Sequence, residues 1–247
     1  MCEKCETRGT GWRGWRPLPP TTLPPAAGPW LDLSHPVSHG MPRAHVFPAP
    51  RFGHFMTLPN DPINVTHFEM IVHTGTHVDA PRHFYNDGPA FDEIPLERLH
   101  GPGVVLHFDV KAGGVIDIAH FEQRSADIRP GDIVAVYTGW SEKFGTETYD
   151  INPSISVAAA QWLGDHSVKL LACDFATPDL AIPLRKPGFT WPVHQVLLSH
   201  GILICEHLTG IAPLADRRVE FVFGALNIAT SDGAPARVVA RLSESVR

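Results

Sequence analysis

The sequence is poor in several features, and each shortage excludes a class of protein. Its 247 residues include four cysteines, Cys2, Cys5, Cys173 and Cys205, too few for a disulfide scaffold, so a reducing cytosol is the expected setting. No apolar run approaches the ~18 residues that a membrane-spanning helix needs. The opening stretch MCEKCETRGTGWRGW lacks the apolar centre of a secretory leader. Basic residues are in deficit: 20 Lys+Arg against 26 Asp+Glu give −6 with His neutral. Nucleic acids and anionic membranes, which call for a concentrated basic surface, are therefore not expected partners. Neither GxxxxGK[ST] nor GxSxG occurs, so a phosphate-cradling loop and a serine-nucleophile elbow are not indicated.

What is present is an ordinary globular balance, 43% apolar and 19% charged, enough for one large domain. Proline (24) and glycine (21) are abundant, which predicts many turns and loops. Histidine (15) outnumbers methionine (4) and tyrosine (3) together, which directs attention to metal chemistry.

Residues 1–28 read as a proline-rich arm, either mobile or laid across a partner subunit, because Pro17, Pro19, Pro20, Pro24 and Pro25 oppose regular pairing. Cys2 and Cys5 form a CxxC with no second pair at zinc-finger spacing. Residues 29–247 read as the globular domain. WLDLS opens it as a strand, 36–66 reads as a long loop, and the alternation of Phe68, Met70 and Val72 suggests a half-buried strand. Strands are expected at 104–110, 132–139, 168–174, 202–206, 220–228 and 236–242, and short helices at 117–124, after Ser156 and from Pro192 to His200. The continuous apolar runs at 168–174 and 202–206 imply strands covered on both faces. The expected class is α/β (α+β), a single layered, β-rich domain with short helices.

The densest chemistry lies in His73-Thr74-Gly75-Thr76-His77-Val78-Asp79-Ala80-Pro81-Arg82-His83. Three histidines and an aspartate share odd positions. Buried without partners, each would cost a few kcal/mol. As a solvated strand face, they would require apolar even positions, but Thr74, Thr76 and Arg82 are polar. Imidazoles and a carboxylate at close spacing suit Zn²⁺ or Mn²⁺. A straight strand would hold residues 73 and 77 about 13 Å apart, too far to share one ion. A helix would bring them to about 6 Å, but Gly75, Pro81 and the β-branched residues oppose it. The spacing predicts a strand that ends at His73 and curls through Gly75, so that Asp79 completes a set of two histidines and one carboxylate with open positions. His83, stiffened by Pro81, is either a further ligand or a general base; a neutral imidazole suits the base role near pH 7.

HTGTHVDAPRHF followed by Asn86-Asp87-Gly88 resembles the signature of the bacterial kynurenine formamidase and cyclase family of metal-dependent amide hydrolases, which includes isatin and cyclic-imide hydrolases. Looser likenesses are LDLSHPV, VYTGW, LLACDFATPDL, VHQVLL, ILICEHL and SDGAPARVVA, so the resemblance spans about residues 30–245. It implies the family's layered domain, assembled as homodimers or homotetramers. It also implies a first metal on His73, His77 and Asp79, a second bridged by Asp79 and held by His194 and Glu206, and His83 as catalytic base and acid. One departure is Val193, where relatives often carry a histidine beside His194. Another is the apparent length of the loops 40–66 and 178–192, which puts the substrate in question more than the chemistry.

Independently of the resemblance, Glu206 ends the apolar run Ile202–Cys205, where an unpaired carboxylate is costly. Asp174 ends another such strand, either to orient a ligand histidine or to anchor a turn. Phe47, Phe52, Phe55, Phe189 and Trp191 lie in the two long loops and either form an apolar rim for an aryl group or pack ordinarily. Taken with the resemblance, the expected reaction is hydrolysis of a carbon–nitrogen amide bond in an aryl formamide such as N-formylkynurenine, with one or two divalent ions. Its rivals are a ring-opening hydrolase of isatin, a cyclic imide or a lactone, and a non-catalytic protein using the ions structurally.

Overall fold

The computed structural model describes residues 11–20 and 26–243; the Cys2–Cys5 pair lies outside them. The described residues form twelve strands: β1 (Ala26–Asp32), β2 (Arg51–Met56), β3 (Val65–Glu69), β4 (His77–Asp79), β5 (His100–His107), β6 (Val115–Ile116), β7 (Ile133–Tyr137), β8 (Ser154–Ile155), β9 (Leu170–Cys173), β10 (Leu203–Glu206), β11 (Arg218–Ala225) and β12 (Gly233–Ser243). The α-helices among them are α1 (Ile118–Glu122), α2 (Val157–Asp165) and α3 (Pro192–Ser199).

Seven strands run in the order β12–β11–β5–β7–β9–β10–β4, and β4 pairs again with β12, so the sheet closes into a barrel. β1 extends it on the outer side of β12. The β5–β7, β7–β9 and β9–β10 pairs are parallel; the other barrel pairs are antiparallel. Side-chain alternation then divides the core in two. Val78, Val105, Ala135, Ala172, Cys205, Phe221 and Ala240 fill the barrel. Their neighbours Leu106, Val136, Leu171 and Ile204 point outward beneath Leu163 of α2 and Leu197 and Leu198 of α3. This double cover is why the β9 and β10 sequences are apolar at nearly every position.

Local signals account for the helices. The Ser156 hydroxyl accepts the Ala159 N–H at 3.1 Å and caps α2. Pro192 occupies the first turn of α3, and Gly201 ends it with φ +71°. At Gly103, closeness matters more than conformation: a Cβ there would stand 2.2 Å from the Ile133 carbonyl oxygen across the β5–β7 pair.

Two expectations need correction. The strand expected over 68–72 is β3, which ends at Glu69 and pairs only with β2, inside the stretch read as a loop. This hairpin is exposed on both faces because no layer covers it. The arm expected to be mobile or to cross a partner crosses its own chain at residues 11–20. The Gly11 N–H donates to Asp87, the Arg13 N–H to Ser199 O, and the Arg16 guanidinium to Gly164 O. Trp12 and Trp15 meet edge to face and seat on Gly201. Gly9, Gly11 and Gly14 spell GxGxxG, but residues 11–20 form neither helix nor strand, so the helix that dinucleotide binding requires is not met there.

Candidate active site

The curl foreseen after His73 is present. Gly75 sits at φ +68° between β3 and β4, a conformation other residues adopt at a cost. β4 then alternates: Val78 enters the barrel, while His77 and Asp79 face outward. Its neighbour β10 places Glu206 opposite His77 and Ile204 opposite Asp79. The β4–β12 pair sets Gly233 opposite Asp79. A Cβ on Gly233 would lie 2.8 Å from His73 Cε1, so that glycine makes room for the imidazole. α3 delivers His194 from above.

These elements converge on one point. His73 Nδ1 is 2.8 Å from Asp79 Oδ1, and His77 Nε2 is 3.2 Å from the same oxygen and 3.5 Å from Glu206 Oε2. His194 Nε2 stands 3.5 Å from Asp79 Oδ2 and 3.3 Å from Glu206 Oε1. Ligand atoms of His77, Asp79 and Glu206 all lie within 4.8 Å of one another, and so do those of His73, Asp79 and His83. The two groups share Asp79.

The donor set fits a divalent cation. His77 Nε2, Asp79 Oδ2 and Glu206 Oε1 are buried and lack hydrogen-bond partners. Three unsatisfied polar atoms at one point would each cost about 1–3 kcal/mol, and a cation would satisfy all three. Charge gives the same answer. Burial pulls His73 down, but Asp232 and Asp79 outweigh it and raise its pKa to about 10. Burial likewise opposes charge on His194, yet Asp179, Asp79 and Glu206 hold it well above the usual imidazole range. Burial works against ionised Asp79 too, but His194, His73 and His77 keep its carboxyl well below the usual range. The pocket thus demands positive charge, from protons or from a metal.

The outer contacts fix the orientation of the cluster imidazoles. His77 Nδ1 donates to Gly75 O at 2.7 Å, leaving Nε2 as the lone-pair atom aimed inward. Asp179 Oδ2 lies 2.6 Å from His194 Nδ1 and accepts the His194 N–H at 3.0 Å, while its Oδ1 accepts the Val193 N–H at 3.0 Å. Asp232 Oδ2 lies 2.8 Å from His73 Nε2 and 3.1 Å from His83 Nδ1. His83, on the turn Pro81–His83, is 27% exposed against 1% for His77, so it is the cluster histidine most open to a substrate.

His73, His83, His194 and Glu206 line a cavity of about 620 Å³, within the range of small-molecule sites. Phe47 and Trp191 line it, as do Phe84 and Phe144. Phe52 and Phe55 do not: Phe52 stacks on Phe68 in the exposed hairpin, and Phe55 is exposed. Phe189 stands behind Trp191 at 5.7 Å between ring centres. Among the described residues, Asp174 makes no hydrogen bond to a histidine of the cluster. It accepts the Thr138 hydroxyl at 2.8 Å and the Trp140 N–H at 2.9 Å, which is the turn-anchoring alternative.

Asp179 and Asp232 were not foreseen. Ser231-Asp232-Gly233 reads locally as a turn, and Asp179 stands 15 residues before the histidine it holds; only the barrel's closure and the packing of α3 bring them in. The pair Tyr149–His207, with Tyr149 Oη 2.7 Å from His207 Nδ1 on the cavity wall, is also new.

A closed barrel carrying a buried cluster of histidines and carboxylates on its outer face, open to a cavity, makes a candidate divalent-metal centre within reach of a small molecule. A family profile described as "Putative cyclase" matches residues 31–180, and the chain belongs to that family. The "Kynurenine formamidase" of Bordetella petrii is 28% identical over 219 residues, 85% of this chain and 96% of that one. A "predicted metal-dependent hydrolase" from Bacillus stearothermophilus superposes with a TM-score of 0.71 at 28% identity, covering 87% of this chain and 98% of that chain. "Isatin hydrolase A" from Labrenzia aggregata shares the fold with a TM-score of 0.78 at 22% identity, over 87% of this chain and 94% of its own.

Proposed function

We propose that this enzyme hydrolyses the carbon–nitrogen bond of an aryl formamide such as N-formylkynurenine. His73, His77, Asp79, His194 and Glu206 would hold zinc or manganese, as one ion or as two that share Asp79. The observation that carries this reading is the meeting of three partnerless buried atoms, on His77, Asp79 and Glu206, beside the cavity. When bound, the cation supplies Lewis acidity and lowers the pKa of water.

The chain's own groups do the rest. Asp179 holds His194 in place. Asp232, at His83 Nδ1, favours the tautomer whose Nε2 is a proton acceptor. Nε2 would take a proton from the attacking water, whose oxygen bonds to the amide carbon. It would return that proton to the nitrogen as the C–N bond breaks, giving an acid and an amine. Phe47, Phe84, Phe144 and Trp191 would seat the aryl group and exclude bulk water.

Purified protein should contain zinc or manganese and hydrolyse members of a panel of formanilides, cyclic imides and isatin, with the activity abolished by chelator. Turnover confined to the cyclic substrates would move the assignment to ring opening. Absence of chelator-sensitive hydrolysis across the panel, with metal bound, would leave the ions a structural role and refute the proposal. A cytosolic setting and self-association as homodimers or homotetramers belong to the same proposal. Buried, unpaired Cys173 and Cys205 support the first, and the exposed apolar residues Phe55 and Phe68 of the β2–β3 hairpin support the second. No helix among the described residues is long and apolar enough to cross a membrane.

A further inference from the structure

The cavity wall carries a cation that the hydrolytic chemistry above does not use. Arg185 lies in the loop before α3 and lines the cavity with His194 and Glu206. Its Nε donates to Leu180 O at 2.6 Å, which fixes the guanidinium's direction. Aromatic rings flank it, with the Phe189 centroid 4.8 Å and the Trp191 centroid 5.2 Å from Cζ. Trp191 adopts φ +52°, ψ +58°, a left-handed conformation that a bulky residue holds only when its surroundings impose it.

Among the described residues, no carboxylate lies within ion-pair distance of Arg185. The acidic groups acting on it are Asp179 and Glu206. Asp179 is committed to α3 and His194, and Glu206 belongs to the metal cluster. Among the described residues, no protein acceptor meets the Nη1 and Nη2 donors of the guanidinium, whose bond to protein is that of Nε to Leu180 O. A half-buried guanidinium held by the Leu180 carbonyl and flanked by rings is a rigid fork, the geometry that grips an oxyanion through two parallel bonds.

We propose that Arg185 is a specificity-determining residue that binds a carboxylate carried by the substrate at a point away from the scissile amide. The favoured substrates are then anionic aryl amides, and neutral rings such as isatin are disfavoured. This rests on the hydrolase reading above and narrows it.

The test compares 2-formamidobenzoate with formanilide, which share the scissile bond and differ in one carboxylate. The wild-type enzyme should prefer the anionic compound. Arg185→Met should lower kcat/KM for it about 10- to 100-fold, chiefly through KM, the range for losing a charge-assisted hydrogen bond, and the preference should fall towards one. Arg185→Lys should restore only part of it, since an ammonium cannot form the fork. Metal content and melting temperature of each variant confirm that the centre and the fold are intact. A wild-type enzyme indifferent to the carboxylate, or an intact Arg185→Met that keeps the preference, overturns the proposal. Benzoate binding, read by calorimetry with metal present, provides a readout independent of turnover. It should weaken in Arg185→Met; benzoate binding that survives unchanged puts the carboxylate on the metal and also overturns it. Failure of the parent reading looks different: neither formamide is hydrolysed in a chelator-sensitive way, while the benzoate result still decides Arg185.

Discussion

Replacing Asp179 by asparagine removes one charge and almost no volume from a residue that serves the α3 terminus and His194 together. Its carboxylate receives the N–H groups of Val193 and His194 at 3.0 Å each and faces His194 Nδ1 at 2.6 Å. An asparagine oriented to keep its oxygen towards His194 turns its NH₂ to the Val193 N–H, so one charge-assisted bond is lost and two become neutral. At about 1.5–3 kcal/mol for the lost bond and a further ~1 kcal/mol for weakening the others, the loss is about 2–4 kcal/mol. For a chain of this size, that corresponds to a fall in melting temperature of roughly 10 °C. Metal affinity should fall as well, about 10- to 100-fold, because the outer partner of a ligand imidazole sets its orientation and basicity. Melting with and without chelator, together with a metal titration, separates the two effects: the helix-cap loss persists in chelator, and the ligand effect does not. A folded Asp179→Asn protein with wild-type metal affinity would refute the assignment of His194 as a ligand oriented by Asp179. An unchanged melting temperature in chelator would refute the cap.

Three further outcomes are expected. His83→Ala should retain its metal, read by elemental analysis, while turnover falls about 10²–10⁴-fold; metal lost in step with activity would make His83 a ligand. Lys169, fully buried with Nζ donating to Glu97 O and His100 O, has its pKa lowered by burial to about 8. The unfolded chain therefore binds more protons between pH 8 and its ordinary value of 10.5, so Lys169 should add stability as pH rises through that window and none below it. Urea titrations of wild type and Lys169→Met across that range should differ in slope, and parallel curves would contradict this. Gly103→Ala should give little soluble protein, because its Cβ would meet the Ile133 carbonyl oxygen at 2.2 Å, where only backbone could yield; normal expression with a wild-type melting curve would contradict the packing.

Much of this architecture is legible along the chain because its signals are local. The apolar runs at β9 and β10, the Ser156 cap and the Pro192–Gly201 brackets of α3 each announce themselves within a few residues. So does the His73–His83 cluster, whose glycine predicts the curl. What escapes is whatever depends on partners far away in sequence. The β2–β3 hairpin lacks a buried face, so periodicity mistook part of it for a half-buried strand and the rest for loop. Asp174 and Asp179 look alike as strand-end or loop acids; only tertiary packing sends the first to Thr138 and Trp140 and the second to His194. Asp232 reads as a turn residue until the β4–β12 register sets it beside His73 and His83.

That register also imposes an order on events during synthesis. Gly233 pairs with Asp79 across 154 positions, so the histidine-rich segment leaves the ribosome long before the strand that completes its surroundings. At about 5–20 residues per second, the delay is roughly 8–30 s. Throughout it, His73 lacks Asp232, while Asp179 and Glu206 follow Asp79 by 100 and 127 residues. Nascent chains therefore carry the histidine-rich segment without Asp232, whose contacts to His73 and His83 are completed only with the last hydrogen-bonded closure of the wall.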